Sequence, residues 1–345
     1  MYALTVLGPV PGSDLGLTLM HEHLVFDFMC CLEKPRTTAE RDMAQQSVNI
    51  EILGALRFNP CLVQDNLVQN DVELAIEEVS AFTAVGGQTL VDPSNVSLGR
   101  DPLALQAIAR ATGLNIVMGA GYYTQAGLDD AFARREVDDI AEEITGDINV
   151  GVNGGSVLAG LIGEIGTGSP ITPSEEKSLR ASARAQARTG APLMVHLFPW
   201  GREGHRVLDI IQEEGADVQR TILCHMNASW FDVEYQTSLA DRGAYLEYDM
   251  LGINHFYPPD MAAPGEIPAL EAVARLIKMG YLDRLLLSQD VFLKMMLRKY
   301  GGHGYAHLFV NLPPLIQAAG ITQDHLRVIF VQNPRRALAF LRGAE

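Results

Sequence analysis

PLMVHLFPWGREGHRVLDIIQEEGADVQRTILCH, residues 192–225, holds two short apolar runs that each end in a histidine, His196 and His225, with a helical pattern between them. Strand, helix and strand in succession is the unit of a parallel sheet. The same unit recurs on both sides. Upstream lie GLTLMHEH ending at His23, QTLVDP ending near Pro93, LNIVMGAGY ending near Tyr122 and VLAGLIGEIG ending near Gly166. Downstream come AYLEYD to Asp249 and RLLLSQD to Asp290. Eight such runs, with no GxGxxG after the first strand and no P-loop, predict a closed (β/α)8 TIM barrel rather than an open doubly wound sheet.

The length of 345 residues suits one barrel domain spanning 1–345. Within it, Thr172-Pro173-Ser174-Glu175 reads as a capping box with proline in the first turn, opening a helix that runs through Ala187 and stops at Gly190. Two stretches break the rhythm. Residues 28–70 are too long for a tight connection and are expected to form an insertion after the first strand, as extra helices or a lid. Residues 250–265, rich in Gly and Pro, read as a loop over the barrel mouth.

Composition excludes several classes. With 48% hydrophobic and 20% charged residues the chain can bury a large core, and nothing suggests a disordered or disulfide-stapled protein. A formal charge of -16 repels polyanions, so nucleic acid is not an expected partner. No apolar run reaches the length of a membrane span, and the N-terminus lacks a secretory pattern. Cys30, Cys31, Cys61 and Cys224 form no CxxC pair, as expected of reduced thiols in a cytoplasmic protein.

The chemistry gathers at strand ends. His21 and His23 are two apart, so strand alternation sends both imidazoles to one face. His196, His225 and Asp290 end three further strands, and all strands of a barrel point their C-terminal ends to the same face. Glu164 sits among glycines and apolar residues, where an unpaired carboxylate is costly and a cation removes the cost. Four imidazoles and two carboxylates suit Zn2+, with Mn2+, Fe2+ or Co2+ acceptable to the same donors.

The series TLMHEH, GLIGEIG, VHLFPWGREG, CHMN and SQD, in this order, resembles the phosphotriesterase-related family of the amidohydrolase superfamily across nearly the whole chain. The resemblance implies a binuclear centre. His21, His23 and Asp290 would hold the more buried ion, His196 and His225 the other, and Glu164 would bridge them where phosphotriesterase itself carries a carboxylated lysine. Lys177, the nearest downstream lysine, falls in the expected helix and makes a poor bridge.

The expected function is hydrolysis of a small-molecule lactone or other carboxylic ester by a hydroxide held between two ions, with Asp290 carrying the proton to the leaving group. Tyr122 and Tyr123 resemble the tyrosine near substrate in lactonase members. Arg202 and Lys294 are candidates to bind an anionic substituent, and Trp200 and Phe292 to wall the pocket. His205, His255, His303, His307 and His325 lack a ligand context. Three alternatives stand beside this reading: a phosphotriesterase acting on organophosphates, a TatD-like metal-dependent nuclease, and a non-catalytic ligand-binding protein. The resemblance also allows a homodimer.

Overall fold

The computed structural model describes residues 1–257 and 261–341. Its centre is a sheet of eight strands: β1 (Leu17–Leu19), β2 (Gly87–Asp92), β3 (Asn115–Ala120), β4 (Leu161–Gly166), β5 (Leu193–His196), β6 (Thr221–Leu223), β7 (Tyr245–Tyr248) and β8 (Leu285–Leu287). Each pairs in parallel with the next, in sequence order. Just past the strand ends the Asp290 amide donates to the His21 carbonyl at 3.1 Å and the His23 amide to the Val291 carbonyl at 3.2 Å, which ties the last strand to the first. The sheet therefore closes, as a (β/α)8 TIM barrel must.

The longer helices of the described residues cover the outside: α1 (Val72–Ala84), α2 (Pro102–Thr112), α3 (Val137–Asn149), α4 (Pro173–Thr189), α5 (Gly204–Glu213), α6 (Val233–Asp241) and α7 (Glu266–Lys278). The expected capping box opens α4. The Glu175 amide donates to Thr172 Oγ1 at 3.3 Å, and the Thr172 amide donates to Glu175 Oε2 at 2.8 Å. Gly190, at φ 72°, ends the helix in the left-handed conformation that glycine adopts without penalty.

Alternation along the strands separates two apolar layers. Leu90, Val195, Leu223, Leu285 and Leu287 pack outward toward the helices. Val91, Met194, Ile222 and Leu286 fill the barrel interior, where Ala3, Leu15 and Leu338 join them. His196 follows Met194 by two and therefore points inward, at the C-terminal mouth.

The 28–70 insertion contains short helices at Thr38–Ala44, Leu53–Leu56 and Gln64–Leu67, and its ends are clamped where Phe26–Asp27 pairs with Val68–Gln69. In the 250–265 loop, Phe256–Tyr257 pairs with Met261–Ala262, while residues 258–260 lie outside the described residues. Among the described residues no helix is long and apolar enough to cross a membrane.

Candidate metal centre

His21 and His23 are fully buried at the end of β1. Their Nε2 atoms and Asp290 Oδ1 find no hydrogen-bond partner. Left so, each would cost on the order of 1–3 kcal/mol. They face one another across a common space that Glu164 also enters. His21 Nε2 lies 3.5 Å from Glu164 Oε2 and 3.6 Å from Asp290 Oδ1. His23 Nε2 lies 3.5 Å from Glu164 Oε1 and 3.3 Å from Asp290 Oδ1. Ligands about 2.0–2.2 Å from a tetrahedral ion stand roughly 3.3–3.6 Å from each other. His21, His23 and Glu164 thus group closely enough to hold an ion, and Asp290 Oδ1 stands at ligand spacing from both imidazoles.

A second group shares Glu164. Its Oε2 is 3.1 Å from His196 Nδ1 and 3.8 Å from His225 Nε2, and those two nitrogens are 2.7 Å apart. One carboxylate common to two clusters is the arrangement of a bridging ligand. This buried His, Glu and Asp cluster can hold metal ions.

The local sequence explains the placement. Gly163 takes φ 141°, and a Cβ there would lie 2.5 Å from the Met194 carbonyl, so only glycine lets β4 approach β5 one residue before Glu164. His225 at φ 63° and Asp290 at φ 50° adopt the left-handed region that non-glycine residues seldom occupy. Such strain, about 1–3 kcal/mol each, collects where side-chain direction matters more than stability.

Asp249, at the end of β7, orients the cluster from behind. It accepts from His21 Nδ1 and His225 Nδ1, each at 3.0 Å, on opposite oxygens. With a carboxylate opposite, Nδ1 carries the proton and Nε2 is left with its lone pair turned to the centre. Ser94 Oγ meets His23 Nδ1 at 2.8 Å in the same role. Below them burial, reinforced by Asp249, pushes Glu247 up to about 8. Asp249 is the candidate residue that the sequence did not single out, although its position at the end of an apolar strand is the same signal that marked the six others. Changing Asp249 to Asn is expected to weaken metal affinity by roughly 10–100-fold. Competition with a calibrated chelator checks this; equal affinity in mutant and wild type would remove its orienting role.

The structure brings His21, His23, Glu164, His196, His225 and Asp290 together, with Tyr123 beside them. The Tyr123 hydroxyl is 3.3 Å from His196 Nδ1. Burial, and then Glu164, hold this phenol well above its usual range, so it stays a protonated donor. Three other candidates are placed elsewhere. Tyr122 turns away and donates to Glu143 at 2.8 Å. Arg202 pairs with Asp232 at 3.1 Å and lies over the Phe231 and Tyr235 rings. Lys294 pairs with Asp65 at 2.6 Å. Each finds a partner distant in sequence, and none lines the pocket.

That pocket, about 220 Å3, opens directly on the cluster. Glu164, His196, His225 and Asp290 form its floor, and Phe28, Phe198, Trp200, Tyr257 and Phe292 are the phenylalanine, tryptophan and tyrosine side chains of its wall beside Tyr123. No arginine or lysine is among its lining residues as described.

A sequence model described as "Phosphotriesterase family" matches residues 1–338. The N-acetyltaurine hydrolase of Rattus norvegicus is 37% identical over 344 residues, covering 97% of each chain. Among solved structures, a resiniferatoxin-binding protein from Rhodobacter sphaeroides is 47% identical with a TM-score of 0.96, covering 98% of this chain and 94% of its own. A lactonase from Listeria monocytogenes is 25% identical with a TM-score of 0.79, covering 99% of this chain and 100% of its own. The eight-stranded barrel, its buried cluster and a match over almost the whole length agree: the chain is a hydrolase that belongs to the phosphotriesterase family.

Proposed function

We propose that the protein hydrolyses a small, uncharged lactone or carboxylic ester bearing an apolar acyl group, at a binuclear centre expected to take zinc. The observation that carries this reading is the pocket: aromatic and aliphatic walls over a polar floor, with no cationic side chain among the described lining residues. A cavity of about 220 Å3 is smaller than the roughly 300–1,000 Å3 of common ligand clefts, which favours a compact substrate. Relatives named N-acetyltaurine hydrolase act, by that name, on an anionic amide. A sulfonate held away from the ions would call for a cationic side chain in the pocket wall, and Arg202 and Lys294 are both engaged elsewhere.

In this reading His21, His23 and Asp290 would hold one ion, His196 and His225 a second, and Glu164 would serve both. The fit rests on the orphaned nitrogens and on the spacing of the donors. Bound there, the ions would supply an activated water and polarise the scissile carbonyl. Asp290 would then take the water proton on the carboxylate oxygen turned away from the ion and return it to the leaving oxygen. Tyr123 donates its phenolic proton to a ring or carbonyl oxygen of the substrate. Phe28, Trp200 and Phe292 exclude bulk water and grip the acyl chain. The four free thiols fit a reducing, cytoplasmic setting.

The test is kcat/KM across lactones of increasing acyl length, with N-acetyltaurine and paraoxon as comparisons. Each methylene buried in the pocket should raise kcat/KM up to about fourfold, the equivalent of about 0.8 kcal/mol. Replacing Trp200 by Ala should flatten that rise. A kcat/KM for N-acetyltaurine above that of every lactone would reject the proposed substrate class, and faster turnover of paraoxon would favour phosphotriester hydrolysis instead.

A further inference from the structure

Cys30 and Cys31 are adjacent, half-buried, and sit on the turn Met29–Cys31 at the start of the insertion. Their Sγ atoms are 3.8 Å apart, so the thiols face each other rather than diverging. Cys31 lines the same pocket as Glu164, His225 and Asp290, and Phe28 anchors the turn by packing its ring on His23 at 5.1 Å. We propose that Cys30 and Cys31 form a chelating dithiol site for a soft, thiophilic centre of the trivalent arsenical class, at the mouth of the active-site pocket.

Two geometric facts favour chelation over a disulfide. Neighbouring Cα atoms stand about 3.8 Å apart, below the roughly 4.4–6.8 Å that disulfides span, so direct S–S bonding is strained. A single soft atom with bonds near 2.3 Å bridges sulfurs 3.8 Å apart at an angle of roughly 110°, which needs little movement. With an organoarsenic oxide, two As–S bonds form while the arsenic–oxygen bond and both S–H bonds break. The oxygen leaves as water with the two thiol protons, and arsenic remains trivalent. The bound group lies against Cys31 and so blocks the pocket. That blockade, though not the chelation, rests on the pocket being the reaction site.

Phenylarsine oxide is the probe. Intact-mass analysis should show one phenylarsenic group per chain, peptide mapping should place it on residues 30 and 31, and 2,3-dimercaptopropanol but not excess 2-mercaptoethanol should remove it. Changing Cys30 to Ser should lower affinity for the probe by at least about a hundredfold, since a second attachment contributes roughly 10^2–10^4. Cys30 does not line the pocket, so lactone turnover in C30S should stay at the wild-type level and become insensitive to the probe. Equal labelling of wild type and C30S, or label on Cys61 or Cys224, would overturn the dithiol site. Labelled protein that still turns over lactones would count against the pocket as the reaction site and leave the dithiol standing.

Discussion

Changing Asp290 to Asn is expected to lower kcat by about 10^2–10^4 while leaving most of the metal in place. Asparagine is nearly isosteric, and its amide oxygen can still face His21 and His23 from the position of Asp290 Oδ1, now 3.6 and 3.3 Å away from their Nε2 atoms. What it loses is charge and the capacity to accept a proton. Two divalent ions bring four positive charges, and Glu164 and Asp290 bring two negative ones, so the mutation also makes the site more positive. Metal titration separates the two roles. If Asp290 acts only as a ligand, activity returns once added metal saturates the variant. If it carries the proton, kcat stays low at full occupancy.

Changing Glu164 to Gln should act on assembly itself. Among the described residues Glu164 is the only carboxylate within 4 Å of His21, His23, His196 and His225 together, and glutamine offers one neutral oxygen where two charged ones stood. Two bound dications would then lack the shared carboxylate that offsets their mutual repulsion. Occupancy should fall below one ion per chain and turnover to background. Lys177 cannot stand in, because its ammonium is committed to the carbonyls of Ala133 and Arg135. Metal present at about a thousand times its dissociation constant stabilises a fold by about 4 kcal/mol. In the variant the gain in Tm on adding metal should largely vanish. An unchanged metal-dependent rise in Tm would refute the bridging role of Glu164.

The barrel and the convergence of the six residues were legible because parallel strands all end on one face, so ligand-type residues at strand ends meet whatever the loops do. Tyr122 and Tyr123 show where that logic stops. Strand alternation ends at Ala120, and Gly121 at φ 107° redirects the chain, so which tyrosine enters the pocket depends on a backbone turn with no side-chain signature. Arg202 and Lys294 lie off the pocket for another reason. Their partners Asp232 and Asp65 lie 30 and 229 residues away, and only the folded chain shows that these charges are already answered. Asp249 was visible as a strand end, but whether a carboxylate binds an ion or the histidine that binds it is a matter of distance. The insertion was recognisable by its length; its gift of Phe28, Cys31 and Cys61 to the pocket wall was not.

The most direct test is a metal titration of chelated protein, with elemental analysis and lactone turnover followed on the same samples. Turnover that is absent after chelation and returns only as the second equivalent of zinc binds is the predicted result. Full turnover in protein that carries less than about a tenth of an equivalent, against two expected, would contradict a binuclear hydrolase built on these six residues.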